Sequence, residues 1–359
     1  MSDRKPCILV INPGSTSTKV AVFRGEKEIH KATIEHPADQ LAAFDLTSEQ
    51  FDVRREAIEK WLGTIPEDDR CFNAVAGRGA PLKPLEGGTY SISEQMLDDV
   101  RTSRYSNHAS NLGPILADHF SRKFGVPAYI TDPVTVDNFS DVARISGLPE
   151  IERKCRSHAL NIKAVGRAVA AEMRKKLEET DFVVAHMGGG ISVAALQRGR
   201  IVDVNDGLLG MGPFSPDRAG ALPIGALVEL CFSGKYDKKE MLTTLSKRSG
   251  MIAYLGESDL REVEKMIDGG DRKAALVFNA MCYQIAKEIG AAAGALSGDV
   301  DAIILTGGMA KSRRLTDTIT THVEFIAPVK IVPGEYEMEA LAEGAIRALS
   351  GEEPVKTYR

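Results

Sequence analysis

The chain has 359 residues, more than one average domain and enough for two. Its 45 Lys and Arg against 50 Asp and Glu give a formal net charge of −5, which argues against a nucleic-acid binder that neutralises phosphates. Hydrophobic residues make up 43% and charged residues 26%, values typical of a globular chain and not of a disordered one.

No stretch approaches the roughly 20 apolar residues of a membrane-spanning helix, and the N-terminal apolar run, 7–11, is too short for the core of a signal peptide. The five cysteines are scattered, odd in number and never arranged as Cys-x-x-Cys. This pattern is typical of reduced thiols and not of disulfides or a zinc site. We therefore expect a cytoplasmic protein with no nucleic-acid or membrane partner.

An internal repeat opens the chain. Residues 8–25 align without a gap on residues 182–199, at an offset of 174, with five identities in eighteen positions. Each copy has an apolar β-branched run, a turn of small residues, a second alternating run and a turn that contains glycine, which predicts two strands. A further strand is predicted after each copy, at 28–33 and 200–204. The repeat predicts two domains of one architecture, with a turn from each facing a shared cleft.

The other predicted elements alternate between strand and helix, which favours an α/β fold. In chain order they are strands at 73–76 and 128–131, a helix at 155–179, a long helix at 273–296, a strand at 302–305 and a terminal helix at 340–349. The strands are followed by Gly, Asp or Arg, at the ends where open α/β sheets bind ligands. We predict an N-terminal domain of residues 1–150 and a C-terminal domain of 151–339, while the terminal segment 340–359 can pack back on the first.

Three glycine-rich turns, at 12–19, 186–191 and 306–309, are candidate phosphate sites. Glycine lets main-chain N–H groups approach an anion, and Ser or Thr hydroxyls add donors. Taken singly, such a turn is more often only a tight turn, but two matched copies and a third Gly-Gly favour a nucleotide clamp. The chain has no Walker A motif, no Gly-x-Gly-x-x-Gly, no His-Glu-x-x-His and no Gly-x-Ser-x-Gly.

These turns resemble those of the acetate and butyrate kinases, part of the group of duplicated α/β ATPases that includes hexokinase, actin and the Hsp70 chaperones. Asn12-Pro13-Gly14-Ser15-Thr16-Ser17-Thr18-Lys19 is similar to the first phosphate loop, His186-Met187-Gly188-Gly189-Gly190 to the second and Thr306-Gly307-Gly308-Met309 to the adenosine loop. The resemblance covers nearly the whole chain and is strongest to the butyrate kinases. It implies two ribonuclease H-like α/β domains, the actin-like ATPase fold, with ATP or ADP in the cleft.

The resemblance implies that the nucleotide is held by side chains and main-chain groups of all three loops. These are Asn12, Gly14, Ser15, Thr16, Ser17, Lys19, His186, Gly188, Gly189, Gly190, Thr306, Gly307, Gly308 and Met309.

The implied reaction is phosphoryl transfer between ATP and the carboxylate of a short fatty acid. That carboxylate, with a pKa of about 4 to 5, is already ionised at pH 7 and needs no general base. The difficulty is repulsion, because two unit charges about 4 Å apart interact by about 4 kcal/mol at an effective dielectric near 20. We therefore expect fixed cations, and Arg78 and Arg218, which match family arginines, are predicted to lie in loops and to act catalytically.

Two carboxylates are implied as a Mg²⁺ site. Asp132 resembles the family aspartate near the magnesium and the reacting phosphoryl group, although Asp before Pro is also a common turn initiator. Glu335 resembles the other magnesium-associated carboxylate, with Glu337 and Glu339 as alternatives in the alignment. Magnesium bound by few protein oxygens, phosphates and water suits such widely spaced carboxylates.

Histidines complete the implied site. His108 matches a family position near the phosphoryl group, and His186 opens the second phosphate loop. His158 resembles the second histidine of a family loop, whose first, more catalytic histidine is replaced here near Lys154. The resemblance therefore implies that His108 and His158, like Asp132, are catalytic residues. Since a lone histidine is more often structural, a role for a histidine in stabilising the transition state is left open.

The function expected from this resemblance is reversible phosphoryl transfer between ATP and butyrate, which gives butyryl phosphate and ADP by in-line attack of the carboxylate. Acetate, propionate or branched-chain fatty acid kinases are alternatives, because one methylene changes binding by only about 1 to 3 kcal/mol. A chaperone-like or regulatory ATPase on the same scaffold is a more distant alternative. A homo-oligomer with a small-molecule substrate is expected.

Overall fold

The structure is a computed structural model that describes residues 5–359. The chain forms two compact units. The first unit extends to Asp137 and resumes at Tyr336, whereas the second spans Asn138–Glu335. The predicted domain limits of 1–150 and 151–339 stay a prediction.

The strands are β1 Cys7–Pro13, β2 Ser17–Arg24, β3 Lys27–Glu35, β4 Ala74–Arg78, β5 Thr89–Ser91, β6 Ala128–Thr131, β7 Asp181–Met187, β8 Ile191–Gln197, β9 Arg200–Val204, β10 Ala302–Gly307, β11 Val329–Pro333 and β12 Lys356–Thr357.

The α-helices are α1 Ala38–Leu41, α2 Phe51–Leu62, α3 Glu94–Arg101, α4 Leu112–Phe124, α5 Asp141–Arg144, α6 Ala159–Glu172, α7 Ile224–Cys231, α8 Lys238–Lys247, α9 Met251–Leu255, α10 Leu260–Asp268, α11 Arg272–Ala295, α12 Arg313–Val323 and α13 Glu337–Ser350. Short 3₁₀ turns lie at Thr47–Gln50, Glu67–Asp69, Ala109–Asn111, Leu177–Glu179 and Gly308–Lys311. Among residues 5–359, no helix is both long enough and apolar enough to cross a bilayer.

The two sheets repeat one arrangement. The first has the order β12-β5-β6-β4-β1-β2-β3, and the second has the order β11-β10-β7-β8-β9. In each, three consecutive strands pair antiparallel, and the first of the three pairs on its other edge with a parallel strand. The sequence repeat therefore corresponds to the hairpins β1–β2 and β7–β8.

The two hairpin loops differ in length, although the sequence repeat aligns without a gap. Pro13 pairs with Thr18 in the first unit, whereas Met187 pairs with Ile191 in the second. The second loop is thus one residue shorter, and only its three glycines lie between the paired positions.

Helices cover both faces of the first sheet. Leu9 and Ile11 of β1 pack with α2 and α4, and β1 is buried along its whole length. Because successive strand residues point to opposite faces, Ile8 and Val10 face the other side, where α13 packs on β1, β4 and β6. In the second unit, the buried face of α11 packs on β7 and β8.

Most predicted elements are present, with shifted ends. The predicted helix 155–179 is wrong at both ends, because α6 begins at Ala159 and ends at Glu172. Arg174 adopts a left-handed φ of 58°, which cannot continue a helix. The terminal helix begins three residues before the predicted start, at Glu337.

Candidate active site

The first phosphate loop joins β1 to β2. The Gly14 amide donates to the Ser17 carbonyl at 2.7 Å, which closes a tight turn. Ser15 and Thr16 at its tip are exposed, and within residues 5–359 their amides donate to no protein acceptor. The loop therefore presents free N–H groups and hydroxyls, the donors that a phosphate needs.

Asn12 and Lys19 flank this loop on adjacent strands. The register of β1 and β2 places them directly opposite each other, so their side chains project from the same face of the sheet. Asn12 is buried and Lys19 is exposed. The face beside the loop thus carries an amide and an ammonium group.

Arg78 is the last residue of β4 and not a loop residue as predicted, because its strand continues to pair with Thr131 of β6. Helix α4 begins against this strand end. A Cβ atom on Gly113 would lie 2.0 Å from the Arg78 carbonyl oxygen, so only glycine permits that approach. The Arg78 side chain is 15% exposed and forms an ion pair with Glu337.

Glu337, the first residue of α13, is the carboxylate that Arg78 and Asn12 share. Asn12 Nδ2 donates to Glu337 Oε2 at 2.8 Å. Burial disfavours its charged form, yet Arg78, Asn12 and Lys19 together hold the pKa of Glu337 below its ordinary value. Glu335 is exposed and, within residues 5–359, makes no hydrogen bond or ion pair. Its assignment to the metal stays a prediction.

His108 lies near Arg78. Its Nδ1 accepts a hydrogen bond from the Ser110 amide at 3.2 Å, so the neutral ring carries its proton on Nε2. Desolvation by the surrounding protein lowers the pKa of His108, and the Arg78 charge lowers it further. The ring is therefore neutral at pH 7 and can donate a hydrogen bond through Nε2.

Asp132 follows β6 and neighbours the end of β4. It is 2% exposed and has a φ of 41°, a left-handed conformation that is uncommon for a residue with a side chain. The Gly88 amide donates to Asp132 Oδ1 at 2.7 Å, and the Asp132 amide donates to the Gly88 carbonyl at 3.0 Å. These two bonds hold Asp132, whose backbone conformation is strained, at the strand end where Arg78 lies.

In the second unit, Asn161 of α6 links His186 to Thr306. Asn161 Nδ2 donates to Thr306 Oγ1 at 3.2 Å, and that hydroxyl donates to the Gly334 carbonyl. The second Nδ2 hydrogen points to His186 Nδ1 at 2.8 Å. His186 Nδ1 is therefore an acceptor, and the neutral ring carries its proton on Nε2, on the side of Gly188.

His158 stacks on His186. The ring centroids are 3.9 Å apart with an interplanar angle of 14°, and His158 Nδ1 lies 2.9 Å from Ser192 Oγ. Ser192 belongs to strand β8. One ring of the stacked pair is therefore bonded to Ser192 and the other to Asn161. His158 thus contacts a predicted nucleotide residue, and a catalytic role for it stays a prediction.

Arg218 lies in a loop as predicted and packs against the second phosphate loop. Its Nη1 donates to the Gly207 carbonyl, and a Cβ atom on Gly190 would overlap its guanidinium group. Ser215 Oγ donates to the Gly189 carbonyl at 2.5 Å and accepts from the Arg218 amide. The all-glycine turn 188–190 therefore leaves room for an arginine side chain that could not otherwise approach.

The predicted adenosine loop follows β10. Thr306 is fully buried, and Gly307 has a φ of 90°. A Cβ atom on Gly307 would lie 2.3 Å from the Met187 carbonyl oxygen, so the residue must be glycine. Gly308 begins a 3₁₀ turn in which Met309 is buried. Nucleotide contact by these residues stays a prediction.

Asp132 and Glu337 offer the hard carboxylate oxygens that magnesium prefers. Both are held by hydrogen bonds from the first unit, and they lie with the cations Arg78 and Lys19 in one unit. Within residues 5–359, no group of three His, Cys, Asp or Glu side chains could hold a metal by itself. Two carboxylates suit an ion that takes its remaining ligands from phosphate oxygens and water.

Two residues of this site were not singled out from the sequence. Glu337 appeared only as an alternative to Glu335, because the terminal helix was predicted to begin at 340 and the sequence did not show Glu337 as its first residue. Asn161 lies inside a predicted helix at a position with no motif, and only the pairing of β7 with β10 brings its partners His186 and Thr306 together.

Comparison with known proteins places the chain in a family. Residues 151–334 match the model of the acetokinase family. The chain is 50% identical over 352 residues to butyrate kinase 2 of Clostridium acetobutylicum, which covers 98% of this chain and 99% of that protein. The chain belongs to the acetokinase family. This result confirms the resemblance predicted from the three loops and, with it, the use of ATP and ADP.

Solved structures of the acetokinase family confirm the fold. The acetate kinase of Porphyromonas gingivalis has a TM-score of 0.78 at 20% identity and covers 96% of this chain and 100% of its own. The acetate kinase of Entamoeba histolytica has a TM-score of 0.75 at 17% identity, over 94% of this chain and 98% of its own. The predicted α/β class with the actin-like ATPase fold is therefore correct.

Proposed function

We propose that the chain is a butyrate kinase, which transfers a phosphoryl group reversibly between ATP and butyrate. The observation that carries the proposal is the near full-length similarity to butyrate kinase 2. The site supports it, because each candidate phosphate loop has an arginine nearby. Arg78 lies on the strand next to β1, and Arg218 packs against the turn 188–190. A carboxylate that is already ionised needs such cations and not a proton acceptor.

The first unit supplies Arg78, which is paired with Glu337, a carboxylate that also accepts a hydrogen bond from Asn12, and it supplies the neutral imidazole of His108. Arg78 can bind two oxygens of the carboxylate or the phosphoryl group at once. His108 can donate through Nε2 to a phosphoryl oxygen without adding charge. Mg²⁺, held by Asp132 and Glu337 or Glu335 with phosphate oxygens, supplies further neutralisation when bound.

The second unit supplies donors for the nucleotide phosphates. The Gly188 amide closes the turn by donating to the Gly190 carbonyl, so the amides of Gly189 and Gly190 are the main-chain donors for a phosphate. His186 contributes its Nε2 hydrogen, and the Arg218 guanidinium group lies beside the turn. We assign these groups to the phosphates and the loop 306–309 to the adenosine. Since the guanidinium group is planar with donors on one edge, Arg218 can bind two oxygens of the transferring phosphoryl group at once.

A hydroxylamine trap for acyl phosphates tests the proposal. With ATP, Mg²⁺ and butyrate, the enzyme should form butyryl hydroxamate in step with ADP. Specificity constants for straight and branched acids of two to six carbons identify the substrate, and butyrate should have the highest value. A higher value for acetate or propionate would refute the assignment to butyrate. ATP hydrolysis that ignores every acid would refute the kinase itself.

We also propose that the chain forms a homo-oligomer through helix α7. None of the residues Ile224–Cys231 is buried, and Ile224 is 78% and Phe232 87% exposed. Ile224, Val228 and Phe232 are exposed at intervals of four residues, and such apolar side chains along one side of a helix are typical of a contact with another chain, here a second copy. Light scattering after size-exclusion chromatography should give a multiple of 38.8 kDa, and Phe232→Glu should lower it. A monomeric wild type would refute this proposal.

We place the enzyme in the cytoplasm. All five cysteines lie within residues 5–359, where none forms a disulfide and three are buried, as in a reducing compartment.

A further inference from the structure

Arg54, on helix α2, is a fully buried arginine. Its side chain is 0% exposed, and it is the largest of the fully buried residues in the described chain. Arginine is almost never buried completely unless it is paired with an acid. Burial lowers the pKa of Arg54 to about 10, so the guanidinium group is still a cation at neutral pH.

The partners of Arg54 are all neutral. Its Nη2 donates to the Ser15 carbonyl at 3.0 Å, and its Nη1 donates to the Ser17 carbonyl and to Thr18 Oγ1, both at 3.0 Å. Its Nε and Nη2 donate to Gln50 Oε1 at 3.2 and 2.9 Å. In the part of the chain from residue 5 onward, no carboxylate forms an ion pair with Arg54.

A buried cation without an acid is costly, because its hydration is lost and nothing of opposite charge replaces it. His36, which is hydrogen-bonded to Thr18, supplies no negative charge to balance Arg54. Burial lowers the pKa of His36, and the Arg54 charge lowers it further. The fold therefore keeps a positive charge directly behind the first phosphate loop. An anion bound at that loop would be its nearest counter-charge.

The hydrogen bonds of Arg54 also orient the loop. In a trans peptide the C=O and N–H groups point in opposite directions. The Ser15 carbonyl points to Arg54, so the Thr16 amide, which belongs to the same peptide group, points away from it. The amide lies at the exposed tip of the loop, on the side from which a phosphate can approach.

We propose that Arg54 is a positioning residue for the polyphosphate of the nucleotide. When the first phosphate loop is occupied, the negative charge of the nucleotide balances the positive charge of Arg54. It fixes the direction of the Thr16 amide and adds a positive potential behind the loop, without touching the ligand. This inference rests on the proposed assignment of residues 12–19 to the nucleotide phosphates.

Three variants separate charge from packing. Gln50→Glu places a carboxylate at the oxygen that already accepts two hydrogen bonds from Arg54, so it neutralises the cation within an almost unchanged structure. Arg54→Met removes the charge, whereas Arg54→Lys keeps it but loses the forked hydrogen bonds. Gln40→Glu, at an exposed position of the same unit, is the control for net charge. The measurements are the Tm without ligand and the Kd of Mg²⁺–ADP by calorimetry.

We expect Gln50→Glu to raise the Tm or leave it unchanged and to weaken ADP binding about tenfold, because a fixed acid replaces the ligand as the counter-charge. Arg54→Met should weaken binding by at least as much, Arg54→Lys by less, and Gln40→Glu should bind as wild type does. If Arg54 only stabilises the fold, Gln50→Glu will bind ADP as tightly as Gln40→Glu does, which overturns the inference even if both Arg54 variants fail to fold. A wild type that does not bind ADP would instead refute the proposed function.

Discussion

The ion pair between Arg78 and Glu337 makes a prediction about stability and its dependence on pH. Glu337→Gln keeps the size of the side chain but removes the charge that Arg78 faces. The two side chains are only 15% and 23% exposed, so solvent screens the pair weakly. Coulomb attraction of about 4 kcal/mol at an effective dielectric near 20 is partly offset by desolvation. We expect a net loss of about 2 kcal/mol, the range of a hydrogen bond between charged groups.

The sign of the pH dependence follows from the lowered pKa of Glu337. A carboxyl group whose pKa is lower in the folded state stabilises the fold above its unfolded pKa, about 4.5, and loses that effect as the pH falls through the folded value. Urea unfolding at several pH values should therefore show wild type and Glu337→Gln far apart at pH 7 and converging in acid. Turnover should also fall about tenfold, since Arg78 loses its orientation.

Glu339→Gln is the matched control for this prediction. Glu339 lies two residues further along the first turn of α13 and, among the described residues, forms no ion pair. Its substitution should change the free energy of unfolding by well under about 1 kcal/mol, the scale of a charge near a helix N-terminus. Equal losses for the two variants, or a constant difference from pH 7 into acid, would refute the reasoning.

Three further substitutions test the site. Arg78→Lys should lower kcat by roughly 100-fold with little change in Tm, because an ammonium cannot bind two oxygens in one plane; unchanged steady-state kinetics would contradict this. Gly190→Ala should displace the Arg218 guanidinium and lower kcat/KM about tenfold while circular dichroism stays native, and an active variant would show that this contact is dispensable. Asn161→Asp should move the proton of His186 toward Nδ1, visible in ¹⁵N NMR of the imidazole; an unchanged tautomer would contradict the hydrogen-bond assignment.

Local patterns were sufficient to predict much of the fold. The predicted strands at 128–131 and 200–204 match β6 and β9 at both ends, and the long helix at 273–296 matches α11 within one residue. Such elements are predictable because their apolar periodicity and flanking residues lie within the segment itself. Strands β5, β11 and β12 were not predicted, since each is short or only partly buried and depends on a neighbouring strand.

Parts of the site were predictable for the same reason. Asn12, Lys19 and the glycines at 188–190 lie in compact motifs, so their grouping follows from a few residues of chain. Arg54 was not predictable in this way, because its helix has an ordinary mixture of charged and apolar residues. Nothing near it in the sequence shows that its side chain turns inward to the carbonyls of Ser15 and Ser17.

The amino-acid sequence by itself determined the α/β class, the duplicated hairpins, the three glycine-rich loops and the family. These depend on residues close together in the chain, or on a repeat that can be compared directly. Only the tertiary structure decided which acid faces Arg78, because Glu337 reaches it from a helix more than 250 residues away in sequence. The tautomer of His186 and the burial of Arg54 were decided in the same way. Each depends on donors and acceptors that distant segments bring within 3 Å or so, and no local preference encodes such distances.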